Sequence, residues 1–238
     1  MELKHDHLTR QLDLIPIEKL GQQVTIIGCG AIGSFLGLQL AKMGLTRVQY
    51  FDHDEISIEN MSNQFFRRCD IGKNKAHALA DMVYDFTNPG DAPHQGPTFF
   101  PVKYEEMYAN KLAGIVVVAV DSMEARRMIY ESIKTKGFAV KYIIDPRMSA
   151  EFYTQYTINP FDEKDQGTYG KVLQSDSESV AERCTAKSTV YTASLAAGLV
   201  TKTIKNIMLD QGYPRVINWD ISKSQNAMAM FEGNVSAP

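Results

Sequence analysis

The sequence predicts an α/β fold, a three-layer αβα domain in which a mostly parallel sheet is extended by antiparallel strands. Three stretches predict it. VTII at residues 24–27 runs into GCGAIG and then a largely apolar segment, the pattern of a strand turning sharply into a helix. GIVVVAV at 114–120 is continuously apolar and β-branched, as a central parallel strand covered on both faces must be. EFYTQYTI at 151–158 alternates instead, through Phe152, Thr154, Tyr156 and Ile158, which suits an antiparallel strand with one wetter face.

In chain order, residues 1–22 read as an N-terminal arm in which Pro16 stops any long helix. The first helix carries Leu36, Leu38, Leu40, Ala41 and Met43 and ends at Gly44; a second strand follows at 48–51. The polar loop ISIENMSNQFFRR then leads to IGKNK, where Lys75 opens a helix over 76–86 that Pro89 follows. Lysine in a first helical turn opposes the helix dipole, so a reason other than helix stability is needed there. A strand over 98–102, the central strand 114–120, a helix over 123–134 and a short strand over 141–145 come next. Residues 160–184 are poor in apolar side chains and read as a long irregular crossover loop. An apolar helix over 189–208, a final strand at 215–221 (RVINWDI) and a flexible tail over 223–238 complete a single domain spanning 1–238.

Composition bounds the function. The chain has 238 residues, 44% of them hydrophobic, and a net charge of −3, which disfavours nucleic acid as an obligate partner. No run approaches the roughly 18 apolar residues of a membrane span, and MELKHDHLTR lacks a signal-peptide core, so a cytosolic protein is expected. The three cysteines, Cys29, Cys69 and Cys184, form no CxxC pair, and no structural zinc is expected. His5 and His7 read as tail residues.

The chemistry gathers first at the glycines. Gly28 permits a tight turn, Gly30 lets a phosphate approach the backbone around Ala31 and Ile32, and Gly33 lets helix and sheet pack closely. The helix N-terminus adds unpaired N–H groups and partial positive charge. Asp52, at the end of the second strand, can accept hydrogen bonds from ribose hydroxyls. Asp121, at the carboxyl end of the central strand, sits where α/β sheets bind ligands, although it or Ser122 could equally cap the next helix. Cys184, flanked by Arg183 and Lys187 before a helix, is either a thiol with a depressed pKa or a small buried residue.

The succession GxGxxG, Asp52-x-Asp54, Asn60-x-x-x-Gln64, Ile-Gly-x-x-Lys75 and strand-Asp121 resembles the ThiF/MoeB/E1-like family of ATP-dependent adenylyltransferases, from about Arg10 to Ile221. The resemblance implies a Rossmann-like fold, ATP and Mg²⁺ as cofactors, and a small ubiquitin-like or sulfur-carrier protein with a C-terminal glycine as partner. It implies that Asp52 binds the ribose, that Asn60, Gln64 and Lys75 face the triphosphate with Asp54 beside them, and that Asp121 holds Mg²⁺. It implies a homodimer in which Arg10 reaches the partner protomer's site, and it makes Cys184, within ERCT, the candidate acceptor of the activated carboxyl as a thioester. Cys69 is the alternative acceptor, and Cys29 reads as packed. Two departures stand out. Relatives commonly have arginine before the glutamine where this chain has Asn63, a loss that Arg67 or Arg68 would make good; and the zinc cysteines of many relatives are missing. The other readings are a nicotinamide-dependent oxidoreductase on the same glycine turn, adenylation of a peptide precursor or tRNA nucleoside, and a non-catalytic dimer scaffold.

Overall fold

The computed structural model describes residues 8–87, 97–175, 188–223 and 230–235. Eight strands form one sheet in the order β3-β2-β1-β4-β5-β6-β7-β8. Strands β1 (Val24–Ile27), β2 (Val48–Phe51), β3 (Thr98–Phe100), β4 (Gly114–Val118) and β5 (Val140–Ser149) run parallel. Strands β6 (Phe152–Ile158), β7 (Tyr213–Asp220) and β8 (Met230–Val235) extend the sheet antiparallel. Helices α1 (Ala31–Met43), α2 (Lys75–Thr87) and α5 (Val190–Met208) cover one face; α3 (Met123–Lys136) and α4 (Glu163–Ser175) cover the other. The expected three-layer, Rossmann-like αβα class is the observed one. Because β1 lies between β2 and β4, the order reverses there, and the crevice at the carboxyl ends of these strands is where such sheets take ligands.

The apolar run of β4 divides between the two cores. Ile115 and Val117 join Leu36, Leu40, Leu79, Val200 and Ile204 beneath α1, α2 and α5, whereas Val116 and Val118 join Ile129, Ile133, Tyr169 and Leu173 beneath α3 and α4. A strand covered on both faces has no polar side to display, which is why its sequence shows no alternation. The first helix ends as expected: Gly44 takes the left-handed conformation, φ 97°, and donates its N–H back to the Ala41 carbonyl.

The structure differs from the sequence expectation in two places. Residues 160–184 contain helix α4 rather than an irregular loop throughout. Its buried edge is narrow, Asp165, Tyr169 and Leu173 at four-residue spacing, so the segment reads as polar. Asp162 starts the helix by accepting the Asp165 N–H at 2.9 Å, and buried Asp165 accepts the Asn159 N–H and the Arg215 guanidinium. Within residues 223–238, strand β8 pairs with β7 from Tyr213↔Val235 to Asn218↔Met230. Backbone bonding to an antiparallel edge needs no apolar pattern, so β7 is not the final strand. The N-terminal arm is also packed: Leu8, Ile15 and Leu20 are buried in the α1 core. Smaller shifts are that β4 ends at Val118 and that β5 runs on to Ser149. No described helix is long and apolar enough to cross a membrane.

Candidate active site

The turn between β1 and α1 is built from glycines for three separate reasons. Gly28 has φ 97°, and a Cβ there would lie 2.5 Å from the Ala119 carbonyl oxygen at the end of β4. A Cβ at Gly33 would overlap the Gly28 carbonyl, so this glycine lets α1 sit against β1. Gly30 is different: a Cβ would meet nothing nearer than Gln64 Nε2 at 3.9 Å, leaving open space above the backbone. Gly30 also precedes α1 without any side-chain cap, and no acid lies in the first turn, so among the described residues the N–H groups of Ala31, Ile32 and Gly33 lack side-chain acceptors. An open cradle with spare donors fits a phosphate.

Asp52 lies beside this cradle. Its Oδ2 accepts the Cys29 N–H at 2.6 Å and its Oδ1 the Asp54 N–H at 2.8 Å. Burial raises its pKa against the lowering effect of those N–H groups and of Lys75. Each oxygen keeps a lone pair for a hydroxyl donor. The same burial, reinforced by the Asp52 charge, pushes the Cys29 thiol well above its usual range and makes it inert, in keeping with a packed role.

Lys75 is the unusual charge. Its side chain is only 9% exposed, and Nζ donates to Asp54 Oδ2 at 2.9 Å. Burial would raise the Asp54 pKa, but the Lys75 hydrogen bond and charge outweigh it and hold that carboxyl below its ordinary range. Asn74 braces the pair: its Oδ1 caps α2 at the His77 N–H, and its Nδ2 donates to the Asp52 and Asp54 carbonyls. Asn74 did not figure in the sequence expectation, although a carboxamide just before a helix is a recognisable cap signal.

Asn60 and Gln64 come from the turn after β2. Asn60 Oδ1 accepts the Ser57 N–H at 3.0 Å, closing the short 3-10 turn Ile58–Ser62. Ser34 Oγ accepts the Phe65 N–H at 2.9 Å, which ties this segment to the start of α1 and sets Gln64 beside Gly30. Buried Gln64 Oε1 and Asn63 Oδ1 have no hydrogen-bond partner among the described residues. Asn63 Nδ2 donates to Ser188 Oγ at 2.9 Å, so the neutral residue at this position links the turn to the approach to α5.

The lost cation is not replaced by Arg67. That guanidinium is held by Asp70 at 2.8 Å and by Asp85 at 3.1 Å, and the pairing with Arg67 brings the Asp70 carboxyl down to about 2. Arg68 remains exposed. Asp121 is exposed at the carboxyl end of β4, and Ser122, not Asp121, caps α3 by accepting the Ala125 N–H at 3.0 Å. Asp121 therefore remains uncommitted among the described residues, a hard oxygen donor of the kind Mg²⁺ takes. Spare backbone N–H groups beside Gln64, and a buried ammonium near Asp52, suit an anionic, phosphate-bearing ligand.

Arg10, which the resemblance assigns to a partner protomer's site, lies away from this chain's own cradle, near the opposite end of α1, where neighbouring Gln11 donates to the Lys42 carbonyl at 3.0 Å. The 13 residues of α1 span about 20 Å, beyond the reach of an arginine side chain. Cys184, with Arg183 and Lys187, lies outside the described residues, as do His5 and His7. Cys69 is exposed.

The chain is 35% identical over 109 residues to the Nedd8-activating enzyme E1 catalytic subunit of Drosophila melanogaster, covering 45% of this chain and 23% of that enzyme. It spans less than a third of the length of the curated relatives it matches. Its fold is similar to PaaA, with a TM-score of 0.70 at 18% identity over 100% of this chain and 84% of the other. It is also similar to Escherichia coli MccB solved with ATP, with a TM-score of 0.68 at 16% identity over 99% and 74%. The ThiF family profile matches residues 10–235, and the chain therefore belongs to the ThiF family.

Proposed function

We propose that this chain is an adenylyltransferase that activates the C-terminal glycine of a small ubiquitin-like or sulfur-carrier protein with ATP. The observation that carries the reading is the buried Lys75 ammonium at the start of α2, in a region that also contains the open turn at Gly30. A cation buried at a helix start, against the dipole, needs an anion; Asp54 supplies one, and a polyphosphate would supply more. The substrate carboxylate attacks the α-phosphorus, the bond to the β-phosphate oxygen breaks, and pyrophosphate leaves with the charge that Lys75 and the α1 N–H groups stabilise. Asp52 would orient the ribose. Asp121 would hold Mg²⁺, which supplies charge neutralisation when bound. In a second step the Cys184 thiolate attacks the acyl carbon, AMP leaves, and a thioester forms.

Pyrophosphate exchange tests the first step. The wild-type chain, given a small protein ending in glycine, is expected to exchange labelled pyrophosphate into ATP, and Cys184→Ala to keep that exchange while losing a thiol-labile conjugate. A conjugate that persists in Cys184→Ala moves the acceptor to Cys69 or removes the second step. Failure of the wild type to bind MgATP would favour the scaffold reading, which Asn63 motivates. A nicotinamide enzyme would leave Lys75 and Gln64 without a role.

We also propose a homodimer, because Arg10 is useful only to a neighbouring copy's cradle. Mixing Arg10→Ala with Lys75→Ala protein is expected to restore part of the exchange, because each mixed dimer contains one intact site, with Lys75 from one protomer and Arg10 from the other. No recovery on mixing two folded variants would contradict a role in trans.

A further inference from the structure

We propose that Arg126 is a positioning residue whose guanidinium, held by Asp145, fixes the backbone that leaves β4 and so sets where Asp121 presents its carboxylate to the magnesium of a bound nucleotide. The inference rests on the adenylation reading and extends it to residues outside the cradle.

The need for such a device follows from the register. β4 pairs with β5 only as far as Val117↔Ile144, and with β1 as far as Val118↔Ile27. Ala119 N–H still donates to the Ile27 carbonyl at 2.8 Å, so the Val118 carbonyl, on the opposite side of the same peptide plane, points towards β5 after that strand has ceased to pair. Carbonyls left in this position need another donor.

Arg126 supplies it. From the first turns of α3 its Nη1 donates to the Val118 carbonyl at 2.9 Å and its Nη2 to the Val120 carbonyl, one residue before Asp121. The same Nη1 meets Asp145 Oδ1. Arg126 is 6% exposed and Asp145 fully buried. Asp145 cannot turn, because its Oδ2 accepts from Arg147 Nη2 and from the Tyr169 hydroxyl, each at 2.8 Å. Arg126 N–H also donates to the Ser122 carbonyl at 3.2 Å, so residues 118–122 are gripped from both ends by one residue. Asp121 lies between those grips, exposed and without a described partner of its own, and its position is that of the backbone.

A planar guanidinium can bridge two carbonyls two residues apart while facing a carboxylate; a lysine ammonium keeps the charge but not the fork. Arg126→Lys is therefore the informative variant. Affinity for ATP is measured by calorimetry on the full chain, with excess Mg²⁺ and with EDTA, for wild type, Arg126→Lys, Asp121→Asn and the double variant. Wild type is expected to prefer MgATP, and Asp121→Asn to lose that preference. Arg126→Lys is expected to lower the preference by about 10-fold, the scale on which outer partners of metal ligands act, without changing metal-free affinity. Added to Asp121→Asn it has no further effect, because both changes act through one carboxylate. A wild-type preference in Arg126→Lys, or an equal loss with and without Mg²⁺, overturns the proposal. Should Arg126→Lys fail to fold, Tyr169→Phe loosens Asp145 while keeping both charges, and is expected to lower the preference by about 2-fold to 3-fold, in line with one hydrogen bond; an unchanged preference there overturns the proposal. Failure of the wild type to bind ATP overturns the adenylation reading and this proposal with it, whereas a normal Arg126→Lys overturns this proposal alone.

Discussion

Lys75→Ala is expected to reduce pyrophosphate exchange by about 10²-fold to 10³-fold, the range lost when a preorganised charge-stabilising donor is removed from a reaction site. The ammonium is already desolvated and fixed by Asp54, so it needs no reorganisation as charge moves onto pyrophosphate. Stability should move little, by less than about 1 kcal/mol, because the Asp54 side chain left behind is half exposed and rehydrates. The Asp54 carboxyl, held low by Lys75 in the wild type, should titrate at higher pH in the variant, since the ionised form loses its partner. Thermal melting beside the exchange assay separates the two effects. Exchange at the wild-type rate in a folded Lys75→Ala protein would remove this lysine from the mechanism.

Gly33→Ala and Gly30→Ala should fail in opposite ways. At Gly33 the new methyl overlaps the Gly28 carbonyl, and its nearest neighbours are backbone atoms that cannot rotate aside, so α1 must move off β1. That displacement is expected to cost about 3 kcal/mol or more, on the order of 10 °C in melting temperature for a domain of this size. At Gly30 the methyl enters open space, its nearest contact being Gln64 Nε2 at 3.9 Å, and the melting temperature should stay within about 2 °C of the wild type. Nucleotide affinity should nevertheless fall by more than about 10-fold, because a phosphate that approaches the backbone meets the methyl instead. Wild-type affinity in Gly30→Ala would mean that the cradle is not a phosphate site.

These contrasts follow how much of the molecule its sequence displays. β4 was legible because burial on both faces forces a continuous apolar run, and the β1 turn because its glycines have few other uses together. Lys75 was legible through an anomaly, a cation where the helix dipole wants an acid. Helix α4 was not, because only a one-residue-wide edge of it is buried and the anchor at Asp165 is polar. Strand β8 was not, because its pairing is written in backbone bonds rather than in side chains. The choice between Asp121 and Ser122 as helix cap could not be made from two adjacent candidates; the structure gives it to Ser122. Arg126 and Asp145 left no local pattern, since their meaning lies in a register that ends two residues too early.

The uncapped start of α1 couples folding to ligand in a measurable way. An oxygen-bearing side chain at Gly30 would close that helix end, a gain of only about a few tenths of a kcal/mol over glycine, and the chain forgoes it. Donors that folding leaves unanswered are answered by whatever anion arrives, so part of the domain's cohesion is conditional on cargo. By linkage, a ligand held at 100 times its dissociation constant adds about 2.7 kcal/mol to stability. On the proposed reading, melting temperature should rise with nucleotide concentration, with the 13-residue helix α1 as the element whose free donors respond.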